Sequence, residues 1–230
     1  MDSAKFASFA ADREGVSGFA NRMEGRRLLA FEQRTAERAD LSLFVSAAES
    51  ILFRSITGLG RDKVEFLENG IDLDRYDPVQ TYPPVAAQGA PLIVFTGQMD
   101  YRPNVEAVAL FARKTLPLVR KEHPDTCFAI VGRAPTPEVQ ALSSLPGVMV
   151  TGEVPDTRDW LAAADIVVAP LRLARGIQNK VLEAMAMAKA VVASPAAAEG
   201  IDAVRGGQFI VVNGPEAEAR AICDLLANPE

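Results

Sequence analysis

Residues 170–194 read PLRLARGIQNKVLEAMAMAKAVVAS, and this stretch decides the fold. The run from Asp165 to Ala169 just before it predicts a strand, and Ala190 to Ala193 near its end predicts another. Between them lies a turn carrying Arg172, Arg175 and Lys180 with no acid among them. Gly176 then opens a helix, with Glu183 one to two turns inside it. A strand, a basic glycine turn and a helix are the parts with which α/β proteins hold phosphate. The first N–H groups of a helix lack internal partners and carry partial positive charge, and arginine and lysine add fixed charge. Glu183 is then placed to accept hydrogen bonds from sugar hydroxyls. Phosphate beside a hydroxyl-reading carboxylate suggests a nucleotide or a nucleotide-sugar. The same spacing has a plainer reading. Asn179 and Glu183 stand four residues apart and Lys180 and Glu183 three, and such pairs often only decorate a solvated helix face. Spacing alone leaves both open.

Outward from this stretch the pattern alternates. Strands are predicted at 92–96, 127–131, 148–150, 165–169, 190–193 and 208–212. Helices are predicted at 103–121, 137–143, 156–163 with Asp156 as N-cap, from Gly176, and at 215–226 with proline in its first turn. Short apolar strands between helices mean a parallel sheet covered on both faces. The fold class is therefore α/β, a Rossmann-like doubly wound parallel sheet. Ligands of such sheets sit at the strand C-termini, where Gly97, Gly132, Gly152 and the Arg172–Gly176 turn fall. Before residue 89 the order differs: a charged helix at 25–39, a strand at 41–46, a helix at 47–57 and a strand at 64–67. Pro78, Pro83, Pro84 and Gly89 make 76–90 a linker. The expected organisation is an incomplete N-terminal α/β remnant over 1–75, that linker, and a ligand-binding domain over 91–230.

Composition narrows the function. The chain has 230 residues, 49% of them hydrophobic, enough for a sizeable core, and a net charge of −6. That charge argues against nucleic acid, whose binders carry a basic face. The start, MDSAKFASFAADREG, lacks a basic region followed by an apolar run, and no stretch has the length of a membrane span. Cys127 and Cys223 form no CxxC pair and read as buried thiols of a reducing compartment. The expected location is cytoplasmic, with a peripheral position at the inner membrane face left open. His123, the one histidine, precedes Pro124 at a helix end. A Ser–His–Asp triad or a multi-histidine metal site is therefore not expected. Asp72 and Asp74 read as turn residues rather than metal ligands, and Trp160, Met185 and Met187 as core.

Five ordered blocks resemble the group 1 (family 4) retaining glycosyltransferases of the GT-B fold, and most closely the sugar transferases of exopolysaccharide clusters. They are ENGIDLDRYDP (68–78), FTGQMDYRPNVEAV (95–108), FAIVGRAP (128–135), VMVTGEVPDTRDWLAAADIVVAPLR (148–172) and ARGIQNKVLEAMAMAKAVVAS (174–194). The resemblance implies two Rossmann-like domains, with the nucleotide-sugar donor, of UDP or GDP type, held mainly by the C-terminal one. Glu183 matches the second glutamate of the family's Glu-x7-Glu motif, which binds the donor ribose. Arg175 stands where the first glutamate would be, and Gln98 where many members have arginine. Arg102 is the nearby basic residue that would supply that charge. Val154 matches a loop that contacts the base through backbone atoms.

The candidate catalytic residues are Glu183 and Lys180, together with Arg175, which departs from the family motif and is expected to face the diphosphate or an acceptor carboxylate instead of the donor sugar. Donor contacts would come from Gly97, Arg102, Asn104, Gly132, Val154 and the N–H groups of Gly176, Ile177, Gln178 and Asn179. Asn104 reads equally as a helix-start residue serving backbone N–H groups. GT-B chemistry implies no metal and no cofactor. The expected reaction is transfer of sugar to a saccharide or lipid-linked acceptor with retention, in exopolysaccharide or cell-surface glycan synthesis. The missing N-terminal half that the family implies makes the chain read as truncated. The unpartnered strands of residues 1–60 then favour a homo-oligomer formed through this region. The main alternative is a non-catalytic nucleotide-binding or interaction remnant, favoured by Arg175. A sugar-nucleotide 2-epimerase is weaker, since it calls for paired acid and base groups. A dinucleotide oxidoreductase is weaker still, since no GxGxxG follows a strand.

Overall fold

The computed structural model describes residues 3, 16–85, 89–174, 176–203, 207 and 209–228. They fall into two compact units. The first holds the chain up to Asn69 together with Gly176 and Ile177; the second holds Gly70–Ala174 and the chain from Gln178 onward. Tyr76, Tyr82 and Val85, in the stretch read as a linker, pack against the core of the second unit.

In the first unit, helix α1 (Val16–Arg38) precedes strand β1 (Ser42–Phe44), helix α2 (Ala47–Thr57) and strand β2 (Val64–Phe66). The strands pair in parallel, Phe44 opposite Phe66. Ser46 caps α2 by accepting from the Glu49 N–H, and Gly58 ends it in the left-handed region, a usual helix stop. Phe53 of α2 is buried against Val64 and Ala36, with its ring 5.0 Å from that of Phe44. On the other side of β1, Leu41, Leu43 and Val45 alternate and all are exposed, as is Leu67 just after β2.

The second unit is a six-stranded parallel sheet of β3 (Leu92–Thr96), β4 (Cys127–Val131), β5 (Val148–Gly152), β6 (Ile166–Ala169), β7 (Ala190–Ala193) and β8 (Ile210–Val211). Their spatial order is β5-β4-β3-β6-β7-β8. All five residues of β3 are buried, as the central strand of a sheet covered on both faces must be. The order reverses direction between β3 and β6, and such switch points open a crevice at the strand C-termini. At the opposite end the Asp165 carboxylate accepts from the Leu92 N–H at 2.7 Å, which ties β6 to β3. This is the doubly wound, Rossmann-like sheet expected from the alternation.

The connecting helices are α3 (Arg102–Leu110), α4 (Leu116–Glu122), α5 (Pro137–Ala141), α6 (Thr157–Ala163), α7 (Asn179–Ala186) and α8 (Pro215–Ala227). The helix expected over 103–121 is a single run interrupted by a π turn at Phe111–Thr115, where the Leu116 N–H reaches the Phe111 carbonyl. Pro117 has no N–H to continue the α ladder, and the widened turn absorbs that loss. Asp156 caps α6 as expected, through the Arg158 N–H. Trp160 and Met187 lie in the core. Gly176 does not open the helix after β6: its φ of +66° is a left-handed turn, and α7 begins three residues later at Asn179. Of the strand expected over 208–212, only Ile210–Val211 pairs with β7, and Gln208 lies outside the described residues.

Phe128 of β4 is fully buried, with its ring 4.5 Å from that of Phe111 in the π turn. Phe128→Ala should therefore destabilise the second unit by about 3–5 kcal/mol, the cost of emptying a large aromatic site, read as a lowered urea midpoint.

Candidate functional site

The crevice is assembled from three strand ends. After β3 the Gly97 N–H donates to the Val131 carbonyl at 3.0 Å, and after β4 the Gly132 N–H donates to the Gly152 carbonyl at 3.2 Å. These bonds draw the three turns together. A Cβ on Gly132 would lie 1.7 Å from the Gly97 carbonyl oxygen, so only glycine permits this approach. The resulting cleft, of about 410 Å³, is floored by Thr96, Gly97 and Gly132 and walled by Arg133, Val154 and Thr157. Lys180 and Glu183 reach it from α7.

Both α7 side chains sit where burial opposes their charge. Burial pushes the Lys180 ammonium down to about 7, against an upward pull from Glu183. Burial likewise pushes the Glu183 carboxyl up, against the Tyr76 hydroxyl that hydrogen-bonds it and the charges of Lys180 and Arg75. For a lysine and a glutamate three residues apart, desolvation thus outweighs mutual attraction on both sides. The Lys180 Nζ donates to Asn104 Oδ1 at 2.9 Å and lies 4.0 Å from the centre of the Phe95 ring. A ligand bringing negative charge to the lysine and hydroxyl donors to the carboxylate would supply what burial removes.

Of the residues singled out in the sequence, Gly97, Gly132, Val154, Lys180 and Glu183 come together on this cleft. Asn104 lies beneath it, and its amide serves Gln98 and Lys180 rather than the helix N–H groups. Arg102 points along α3 to Glu106, 2.6 Å away. Gln178 flanks the start of α7 and Asn179 is its first residue. Gly176 and Ile177 group with the first unit, and Arg175 lies outside the described residues. Arg172 lines a separate cavity with Ser194 and Glu218. Asp72 is a turn residue, its carboxylate accepting from the N–H groups of Asp74 and Arg75. Among the described residues no group of three or more His, Cys, Asp or Glu is placed to hold a metal ion.

Sequence reasoning missed Tyr76, Arg133, Glu153 and Thr157. Arg133 carried a signal, since it directly follows the strand-end Gly132 and in the fold bonds Gln98 Oε1 at 3.2 Å. Tyr76 carried none: its partner Glu183 is more than a hundred residues away.

Residues 90–228 match the family model of the group 1 glycosyl transferases. The chain belongs to that family. Its relatives include the lipopolysaccharide core biosynthesis mannosyltransferase LpcC of Rhizobium leguminosarum bv. viciae, 29% identical over 176 residues that make up 71% of this chain and 49% of that protein. Similar folds include WaaG, a glycosyltransferase involved in lipopolysaccharide biosynthesis, with a TM-score of 0.71 at 17% identity over 96% of this chain and 63% of that one. Another is HepE of Anabaena, solved in complex with UDP and glucose, with a TM-score of 0.67 at 18% identity over 87% of this chain and 57% of that one. The group 1 chain therefore spans about half the length of the curated relatives it matches. Its second unit has the Rossmann-like fold shared by these glycosyltransferases.

The Lys180 shift has a sign that can be measured. Below about pH 7 the folded and unfolded chains both hold the amine proton, and between about 7 and the ordinary 10.5 only the unfolded chain does. Stability should therefore rise with pH through that window. Lys180→Met should flatten the rise, seen by comparing urea midpoints of the two proteins from about pH 7 to 10. Parallel curves would mean the amine is not desolvated.

Proposed function

We propose that the second unit is the donor-binding half of a glycosyltransferase. It would move a sugar from a nucleotide-sugar of UDP or GDP type to a saccharide or lipid-linked acceptor, with retention. The observation that carries this reading is the Lys180–Glu183 pair, placed by α7 at the switch point of the sheet with burial opposing both charges. In this reading Lys180, with Arg133 beside it, meets the diphosphate. Glu183, held by Tyr76, accepts from the ribose hydroxyls, and the Val154 loop borders the base. The bond from the sugar's anomeric carbon to the diphosphate breaks with its electron pair going to the diphosphate oxygen, the acceptor oxygen bonds that carbon on the same face, and the acceptor's proton passes to the departing diphosphate. Negative charge gathers on the leaving diphosphate, where a preformed cation in a dry cleft counts most. Side chains and amides serve this charge without a resident metal or cofactor.

The UDP and glucose of the HepE structure support the ligand class, and the lipopolysaccharide role of LpcC and WaaG supports a cell-surface glycan. We assign the product to exopolysaccharide or related surface glycans and the reaction to the cytoplasmic side of the inner membrane. No helix among the described residues is long and apolar enough to cross a membrane. A second reading, a nucleotide-binding module without transfer activity, is favoured by Arg175 in the place of the family's first glutamate. We also propose that copies associate through the apolar side of β1 and the end of β2, where Leu41, Leu43, Val45 and Leu67 are exposed. Light scattering should then report a dimer that Leu43→Glu dissociates, and a concentrated wild-type monomer would oppose it.

Calorimetric titration with UDP, GDP and ADP and their sugar conjugates tests the ligand. One nucleotide should bind saturably, and Glu183→Ala should weaken it by about 1–3 kcal/mol, the scale of charge-assisted hydrogen bonds. No binding by any of them would remove the donor-site reading. Binding without sugar transfer to any acceptor would favour the second.

A further inference from the structure

Asn104 is buried to 6% exposure at the start of α3, and its burial needs a reason. α3 has no side-chain cap bond, so the amide is not spent on the helix. Its Nδ2 donates to the Gln98 carbonyl at 2.9 Å, and its Oδ1 accepts from the Lys180 Nζ at 2.9 Å. The two bonds together fix the amide's orientation, because only its nitrogen can donate to a carbonyl and only its oxygen can accept from an amine. Asn104 is not on the cleft wall, whereas Lys180 is.

Lysine ends a flexible four-carbon stem and loses rotamer entropy when its head is held in one place. Here three neighbours share that task. Asn104 holds the head by a hydrogen bond, the Phe95 ring lies under it, and Gly97 leaves room for it. A Cβ at Gly97 would stand 3.2 Å from the Nζ and 2.8 Å from Asn104 Nδ2. The other charged groups on the cleft are Glu183 on the same helix, Arg133 after β4 and Glu153 after β5. A neutral amide suits the role, since it accepts a hydrogen bond from the ammonium without cancelling the charge that a phosphate would meet. An aspartate would cancel it.

We propose that Asn104 is a positioning residue for the donor site, holding the Lys180 amine at the Gly97 turn so that it is preorganised for the diphosphate of a nucleotide ligand, which Asn104 itself does not touch. The proposal rests on the reading of this cleft as a nucleotide site.

The test uses Asn104→Ala and the nearly isosteric Asn104→Asp in the full chain, with two readouts. The first is the titration of the Lys180 amine in the unliganded protein, followed by NMR of the lysine side chains and assigned with Lys180→Gln. Asn104→Ala removes an acceptor from the ammonium and should move the titration to lower pH; Asn104→Asp adds a negative charge and should move it to higher pH. The second readout is binding of UDP and GDP against uridine and guanosine. Asn104→Ala should weaken the bound diphosphate about ten-fold, the scale of one hydrogen bond to a charged group. The matching nucleoside should change less than about two-fold. A structural role in the turn alone would move neither the titration nor the ratio of diphosphate to nucleoside affinity. An amine titration unmoved in both folded variants overturns the proposal, as does an equal loss for diphosphate and nucleoside. If wild type binds neither diphosphate, the donor-site reading fails and takes the proposal with it. A shifted amine titration in the variants would then locate the failure in that reading rather than in the Asn104–Lys180 bond.

Discussion

The close approach of the β3 and β4 ends is the constraint on which the cleft depends. Gly132 brings its α-carbon so near the Gly97 carbonyl that any side chain would collide with it, and the N–H groups of both glycines bond the next strand's end. Every wall of the cleft is placed relative to this floor. Gln98 and Arg133 leave it in adjacent directions, Val154 follows from the Gly152 it bonds, and α7 comes down beside it from β6.

Burial is the second determinant, and it works against charge. Lys180 and Glu183 on an exposed helix would form an ordinary pair worth a few tenths of a kcal/mol. Folded into the crevice, both lose hydration, and their attraction does not restore it. Tyr76 and Asn104 contribute single hydrogen bonds, which keep the two groups in place without neutralising them. A site in this condition gains most from a ligand with negative charge at one end and hydroxyl groups at the other, as the proposed nucleotide donor would have.

The two units differ in how far they complete themselves. The second closes a six-stranded sheet with helices and a continuous core. The first has two paired strands, a small cluster around Phe53, and apolar residues exposed along the far side of β1. A parallel pair of strands is normally buried on both faces, whereas here Leu41, Leu43 and Val45 stay exposed along one side of β1.

Local pattern in the sequence determined the strands, their parallel arrangement and the strand-end turns, because apolar runs of four to six residues between helices have few other packings. It also placed Lys180 and Glu183 on one helix, since a spacing of three is read directly along the chain. It misjudged the start of that helix, because Gly176 fits a left-handed turn as readily as a helix entrance and only the fold selects between them. What tertiary structure alone decided is which groups meet. Asn104 reaches Lys180 across 76 residues of chain, and Tyr76 reaches Glu183 across more than a hundred. These contacts arise from how separate elements pack in space, and the desolvation that shifts Lys180 and Glu183 follows from that packing, so no local spacing encodes it.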